Sequence, residues 1–549
     1  MNRCSRSSSP KRCSRNSAAT RWARSSPGST VGKRRCSIAN VFLCGLSGCG
    51  KSTVAPILAR MRGLEALDLD RAIVADAGLS IAEIFAREGE AGFRKREAQA
   101  LADACAKTGR VVALGGGALD DARSRERIAQ SGALVFLDAP LDVLEARLTS
   151  GNGEVRPLLS QPGALAALRE RRLPYYSAAA LTIDTADRAP EEVAREIDLA
   201  LRVHVGSGLI GHVADLASLE PKTKVAIVGD RRLGKHLNRL KRDFERAGAL
   251  ATLLPVRADE RLKSLDALTP LYGKLLEAQL DRRSIVVGAG GGTIGDAIGF
   301  LAATYLRGVR FISIPTTLVA DIDSSIGGKT GVNHPLGKNL IGVVAQPSLI
   351  VIDPSLLATL DRRDHISGLG EIVKTGLIAD AALYEDLTTN WRALMKLKEP
   401  FTTDVIARCV AFKIKIVAGD ETDRSGLREQ LNFGHTVGHA LERVLGYGKL
   451  RHGEAVIVGM RAAVALSARR GLLPEETARA VDTYLATLPV PSFWKKIRAQ
   501  KIVDAAQHDK KRTAQGLRFV LLDRIGHTVP ADAVTAKELL PVLRSVGFR

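Results

Sequence analysis

Aromatic residues are scarce in this chain: 3 Trp, 7 Tyr and 13 Phe make up 4% of 549 residues. The aromatic and basic interleaving that single-stranded nucleic acid demands is therefore missing. Long apolar runs are missing too. None approaches the roughly 18 residues that cross a bilayer, so no membrane span is expected. Seven cysteines form no paired CxxC pattern, which excludes a structural disulfide framework and points to the reducing cytoplasm. Acidic residues are absent from positions 1–36, where eight Arg and two Lys supply +10 of the net +21. The rest of the chain is only mildly basic. That Arg/Ser-rich head carries Cys4, Cys13 and Cys36, has no apolar core of a secretory signal, and cannot fold alone. It reads as a disordered, dispensable tail. A transit-like tail, an RNA-contacting arm and an over-extended translation start are the other readings.

What remains is ordinary globular composition, 45% hydrophobic and 25% charged, long enough for three or four domains. After the apolar strand at 41–44, residues Gly45 to Ser52 read GLSGCGKS, and an apolar helical pattern follows from Val54 to Met61. Strand, glycine loop and helix stand in P-loop order. Gly48 and Gly50 let the backbone turn its N–H groups toward phosphate, Lys51 neutralises the β/γ oxygens, and Ser52 offers a hydroxyl to Mg²⁺ beside Thr53. Asp68 and Asp70 close the next apolar stretch. On a strand end both would face one side, one toward Mg²⁺ and the other toward a hydroxyl.

Together with the SIAEIF run from Ser80, GEAGFRKRE from Gly89, GGG at 115–117 and VRPLL from Val155, these motifs resemble shikimate kinase over about residues 39–200. The resemblance implies that Asp70, Arg94, Gly116, Gly117 and Arg172 hold shikimate. It further implies that Asp68 helps place Mg²⁺, Arg156 is the lid arginine on ATP, and Asp70 takes the hydroxyl proton. Arg171 is adjacent to Arg172, so a shift of one position stays open. The chemistry agrees, since a carboxylate wants arginine forks and vicinal hydroxyls want a carboxylate acceptor.

Near residue 203 that pattern stops with almost no linker, and a new α/β series begins with the strand at 225–230. A second apolar strand ends in Gly290, Gly291 and Gly292 and runs into a helix, which suits a dinucleotide pyrophosphate, with Asp230 at an earlier strand end for a ribose hydroxyl. Arg307, Lys329, Lys338, Lys374 and Lys413 then scatter cations over polar loops. A doubly anionic, phosphate-bearing substrate would explain them.

Histidine gathers most densely at His435, His439 and His452. Leu427, Leu431, Val437, Leu441, Val444 and Leu445 recur at helical spacing, so His435 and His439 are predicted one turn apart on a common face. Gly434 and Gly438 imply close approach by a metal, a substrate or a second helix. Helical spacing by itself makes His435 and His439 the metal pair. Glu371, entering another helical segment, can instead join His435 and His452 in a set of two imidazoles and one carboxylate with open positions.

Residues 288–456 resemble 3-dehydroquinate synthase, through GGGTIGD, PTT, DSSIGGKTGVNHPLGKN, GLGEIVK, LNFGHTVGHALE and HGEAV, with weaker similarity from about 205 to 549. The resemblance implies NAD held by Asp230, Glu260, Lys263, Gly291, Gly292, Asp296, Thr316, Thr317, Lys329, Lys338 and Thr359. It implies Zn²⁺ or Co²⁺ on Glu371, His435 and His452. Substrate would meet Asp323, Lys329, Lys338, Asn339, Lys374, Lys413, Arg428, Asn432, His439 and either Lys510 or Lys511, with Arg307 reaching across a homodimer interface. Lys51, Asp70, Lys329, Lys374, Lys413, Arg428 and His439 are the expected catalytic groups.

The expected architecture is α/β. A P-loop kinase domain with a parallel sheet spans 37–201 behind the 1–36 tail. A Rossmann-like NAD-binding domain spans 202–365, and a mainly α-helical metal and substrate domain spans 366–549. The expected enzyme is bifunctional, phosphorylating shikimate with ATP and Mg²⁺ and converting a heptulosonate phosphate to 3-dehydroquinate, without nucleic-acid partners. A metal-dependent polyol dehydrogenase or inosose-type cyclase is the competing reading of the second half. A nucleic-acid-associated P-loop ATPase competes for the whole chain.

Overall fold

The computed structural model describes residues 40–150, 163–421, 425–446, 448–507, 512–513 and 516–549. The basic head, Arg156, Lys510 and Lys511 lie outside the described residues.

β1 (Asn40–Cys44) is buried at all five positions, as the apolar run from Val41 inside a parallel sheet must be, while the Asn40 side chain donates to Lys107 O and accepts from Arg110 N. It lies at the centre of β2 (Glu65–Asp68), β3 (Arg110–Ala113), β1, β4 (Gly132–Asp138) and β5 (Leu181–Asp184), all parallel. α1 (Lys51–Arg62) leaves the glycine loop directly, with Gly50 at φ 95° before its first residue. That left-handed turn is open to glycine at little strain. β2 ends at Asp68, whose carboxylate accepts from Arg71 N and caps α2 (Leu69–Ala77). Asp70 therefore lies in the first helical turn, not beside Asp68 on a strand end. The short side chain of Asp68 is a good N-cap, and the cap converts strand to helix at that point. α3 (Ile81–Ala106) opens on a Ser80/Glu83 capping box and is broken at Gly89, φ 70°. α4 (Ala164–Tyr176) and α5 (Pro190–Ala200) complete the elements that bear on the first site.

Two residues after α5, β6 (Val203–Val205) joins a second parallel sheet. Its order is β6, β13 (Leu349–Ile352), β10 (Arg310–Pro315), β9 (Ile285–Gly290), β7 (Lys224–Asp230) and β8 (Leu250–Val256). α6 (Gly292–Thr304) follows β9, and β11 (Lys329–His334) with β12 (Gly337–Val344) forms an antiparallel hairpin. The remainder is mainly helical, with α7 (Arg362–Ala379), α8 (Phe401–Gly419), α9 (His435–Leu445) and α10 (His452–Arg469) around the site. It also carries a three-stranded antiparallel sheet, β14 (Arg512–Thr513), β15 (Gly516–Arg524) and β16 (His527–Val534). No sequence signal had indicated that sheet.

The helical pattern predicted from Leu427 to Leu445 is two elements. A 3₁₀ turn covers Leu427–Asn432, Gly434 turns left-handed at φ 78°, and α9 begins at His435. What approaches the glycines is a second helix. A Cβ on Gly459 of α10 would fall 1.9 Å from Gly434 O, and one on Gly438 would lie 3.3 Å from Ala455 O. α7 meets α10 the same way, since a Cβ on Gly453 would fall 1.8 Å from Ser367 O. Three helices thus pack backbone to backbone and bring their side chains to one point. A continuous apolar core, including Leu58 of α1, Val193 and Ile197 of α5, and Ile414 and Val417 of α8, joins the first unit to the second.

Candidate functional site

In the glycine loop, Lys51 Nζ donates to Gly45 O at 2.8 Å and to Leu46 O at 3.1 Å. The ammonium is thus folded over the loop that the N-terminus of α1 faces. That helix end has no side-chain cap; Thr53 N already donates to Gly50 O at 3.1 Å, so the N–H groups left to meet an anion are those of the very first residues, around Lys51 and Ser52. A Cβ on Gly45 would stand 2.3 Å from Leu137 O, and Gly48 sits at φ 85°, so both positions demand glycine.

The predicted shikimate residues converge. A Cβ on Gly115 would fall 2.6 Å from Asp70 Oδ1, one on Gly116 would lie 3.1 Å from Arg172 Nη1, and one on Gly117 would overlap Arg94 Nη1 at 1.9 Å. The glycine turn is therefore a floor pressed against two carboxylates, Asp70 and Glu97, and two guanidinium groups. Arg172 is buried and bonded to Asp120 at 3.2 and 3.3 Å. Arg171 is exposed. Burial and aim distinguish the two neighbours, and they favour Arg172. The sequence reading missed Glu97 and Asp120, which hold these arginines; Arg94 Nη1 donates to Glu97 at 2.6 Å. Burial pushes the Glu97 carboxyl up, against the pull of Arg94. Spacing of three residues on one helix could have revealed the Arg94–Glu97 pair. No local signal joins Asp120 to Arg172.

In the second unit, Gly291 precedes α6 without a side-chain cap, and its turn is closed by Thr317, whose Cγ2 lies 2.9 Å from a would-be Cβ. Thr316 N donates to Gly290 O at 3.1 Å, which ties the PTT turn to the glycine strand. Lys263 donates to Asp296 at 2.6 Å and also bonds Asn339, while Glu260 accepts from Asn333 at 2.8 Å and pairs with Lys338 at 3.3 Å. Five predicted residues from three separate segments thereby form one network, closed by Asn339 N donating to Asn333 at 2.9 Å. Asn333 belongs to it and had not been singled out. Asp230 ends β7 and is paired with Arg232. Thr359 donates within its own turn to Leu356 O, and Arg307 is exposed on a left-handed turn at φ 66°, so neither joins this network.

Beside that network, Lys413 bonds Asp323, Lys374 bonds Glu371, and Arg428 is buried with Nη2 donating to Glu421 O at 3.1 Å. Burial would raise the Asp323 carboxyl, yet Lys413 and Lys374 hold it below its ordinary range. Asn432 ends the 3₁₀ turn that carries Arg428.

Glu371 lies in the middle of α7, where the sequence had placed it at a helix entry. Its Oε1 is buried without a hydrogen-bond partner, 3.4 Å from His452 Nε2 and 3.8 Å from His435 Nε2. His435 is oriented by a contact of Nδ1 with Phe433 O at 3.2 Å, and His452 by Glu442 at 3.4 Å. Glu442 is another residue that the sequence reading missed. Burial, and then Lys374, push His435 well below its ordinary value, which keeps it neutral. Burial opposes charge on His452 as well, but Glu371 and Glu442 push it up to about 10. His439 packs against both other imidazoles, with ring centroids 5.2 and 5.7 Å away, and the three offer ligand atoms within 4.8 Å of one another. An orphaned carboxylate oxygen facing imidazole nitrogens fits a divalent metal of the zinc type.

Family models match in chain order: shikimate kinase over residues 47–202, 3-dehydroquinate synthase N-terminal over 253–367, and 3-dehydroquinate synthase C-terminal over 368–512. A 3-dehydroquinate synthase of Chlorobaculum tepidum is 42% identical over 306 residues, which cover 55% of this chain and 83% of that protein. One from a Synechococcus strain is 41% identical, covering 60% of this chain and 91% of its own. Among solved structures, the 2-epi-5-epi-valiolone synthase of Streptomyces hygroscopicus subsp. jinggangensis 5008, with NAD⁺ and Zn²⁺ bound, is 29% identical with TM-score 0.56. That match covers 63% of this chain and 96% of the other. These matches favour the synthase over a polyol dehydrogenase or inosose-type cyclase, and a kinase over a nucleic-acid-associated ATPase. The chain belongs to the 3-dehydroquinate synthase family, carries a shikimate kinase part ahead of it, and is a two-part enzyme, a phosphotransferase and a carbon–oxygen lyase.

Proposed function

We propose that the residues gathered at the two sites perform these two reactions separately: ATP-dependent 3-phosphorylation of shikimate, and conversion of 3-deoxy-D-arabino-heptulosonate 7-phosphate to 3-dehydroquinate and phosphate. At the first site Lys51 exchanges its loop carbonyls for the β/γ oxygens of ATP, and Ser52 and Asp68 hold Mg²⁺. Arg94 and Arg172 grip the substrate carboxylate, and Asp70 accepts the attacking hydroxyl and its proton. Phosphoryl transfer depends chiefly on such positioning and charge stabilisation.

At the second site Glu371, His435 and His452 hold a Zn²⁺ or Co²⁺ ion, and the Gly291–Gly292 turn with Asp230, Glu260, Lys263 and Asp296 holds NAD. When bound, the ion supplies Lewis acidity and NAD supplies reversible hydride acceptance. Lys329, Lys374, Lys413 and Arg428 hold phosphate and carboxylate, Asn432 orients hydroxyls, and His439 moves a proton. The observation that carries this reading is the buried, unpartnered Glu371 oxygen between two imidazoles, with Lys374, Lys413 and Arg428 alongside.

Units at 37–201, 202–365 and 366–549 behind a 1–36 tail are supported by the pairing of β6 with the second sheet. A homodimer, completed by Arg307 of the second copy, is supported by exposed Leu336, Leu340 and Val344 on the β11–β12 hairpin. Among the described residues no helix is long and apolar enough to cross a membrane. The reducing cytoplasm suits Cys44, Cys49, Cys105 and Cys409, which are free thiols. One preparation tests both activities: phosphate release from the heptulosonate phosphate without net NADH, lost on chelation, and ADP formation that requires shikimate. Accumulating NADH, or ADP formed regardless of shikimate, would overturn the corresponding half.

A further inference from the structure

The last helix of the kinase part, α5, is wedged against the synthase part. Arg62 at the end of α1 bonds Asp198 of α5 at 2.9 Å, Asp198 bonds Arg202 at 2.7 Å, and Arg202 donates to Pro347 O at 3.2 Å. Nearly one turn earlier on α5, Arg195 Nε donates to Ala418 O at 2.9 Å. Ala418 lies in the last turn of α8, where carbonyls have no partner within their own helix and a cation is favourable. Glu192, one turn earlier on α5, faces the same end. A Cβ on Gly419 would lie 3.4 Å from Glu192 Oε1 and 2.5 Å from Leu427 Cδ2. The exit of α8 is therefore clamped between a kinase helix and the residue that precedes Arg428.

That helix end bears directly on the synthase site. Lys413, paired with Asp323, stands little more than one turn before Ala418 on α8. Just beyond it, Ser425 N donates to Asp420 at 3.2 Å and Arg428 Nη2 donates to Glu421 O at 3.1 Å. A small axial or rotational drift of α8 would move both cations together, and an error of about 1 Å in a positioning group can lower efficiency by about 100-fold.

We propose that Arg195, a residue of the kinase part, is a positioning residue of the synthase site, fixing the end of α8 and through it Lys413 and Arg428. This rests on the reading of those two cations as substrate-binding groups. The fusion thus completes the second active site, beyond placing two activities on one chain.

The test uses the full chain with Arg195→Met, which keeps the apolar stem of the side chain, and Arg195→Lys, which keeps a cation at the helix end. For Arg195→Met, KM for the heptulosonate phosphate should rise about tenfold with kcat within about twofold, as expected when ground-state and transition-state binding are lost equally. Both shikimate kinase constants should stay unchanged, amide exchange at the end of α8 should quicken, and Arg195→Lys should restore most of the KM. An unchanged KM would overturn the proposal. So would a parallel fall of the synthase and kinase kcat with the melting temperature, since that marks a merely structural contact. Lys413→Ala and Arg428→Ala are measured in parallel. If they raise KM and Arg195→Met does not, only this inference fails; if they too leave KM unchanged, the reading of the site fails with it.

Discussion

Glu442 supplies the sharpest test of the proposed metal centre, because it touches the ligand set without belonging to it. Its carboxylate meets His452 Nδ1 at 3.4 Å with a side chain only 14% exposed, while His452 Nε2 faces Glu371. A partner of this kind fixes the tautomer and ring orientation of a ligating histidine, and its loss typically lowers metal affinity by about 10- to 100-fold. Converted, that is about 1.4–2.7 kcal/mol of binding free energy. His435 offers no equivalent handle, since its Nδ1 contacts the backbone of Phe433. Glu442→Ala should therefore weaken Zn²⁺ binding by that factor, with Glu442→Gln between parent and Ala because the amide oxygen still accepts. The assay is a competition titration of apoprotein against a chromophoric chelator, with shikimate kinase activity of the same sample as the control for folding. Affinity within about twofold of the parent would refute the assigned role.

Three further outcomes follow from the same geometry. Lys51→Ala should abolish shikimate-dependent ADP formation and leave phosphate release from the heptulosonate phosphate intact, because among the described residues the lysine bonds the glycine loop; a parallel loss of both activities would contradict separate sites. Gly117→Ala places a Cβ 1.9 Å from Arg94 Nη1, so KM for shikimate should rise about tenfold while KM for ATP changes little, read by coupled ADP assay. His435→Ala and His452→Ala should emerge from purification depleted of metal, whereas His439→Ala should retain it and lose roughly 100-fold or more in rate; metal analysis showing His439→Ala depleted would make all three imidazoles ligands.

Sequence determined whatever depends on near neighbours. The P-loop followed from strand, glycines and helix in order. The i,i+4 contact of His435 with His439 followed from helical pitch, and the centroid distance of 5.2 Å agrees. Gly434 and Gly438 announced a close approach without saying by what. Even locally the reading had limits: an Asp68 cap moved Asp70 from a strand end into a helix, and the left-handed Gly434 cut a predicted helix in two.

Tertiary structure alone decided which distant groups meet. Helical pitch favours His435 with His439, but the contact of α7 with α10 at Gly453 and Ser367 carries Glu371 to the two imidazoles that lie 64 and 81 positions away along the chain. Asp120 reaches Arg172 across 52 positions, and Arg195 reaches Ala418 across 223. Residue type and short spacing state what a side chain can do and which neighbours share its face. Such long closures instead depend on how glycine-thinned helices and buried strands stack, a collective outcome of packing that no local pattern encodes.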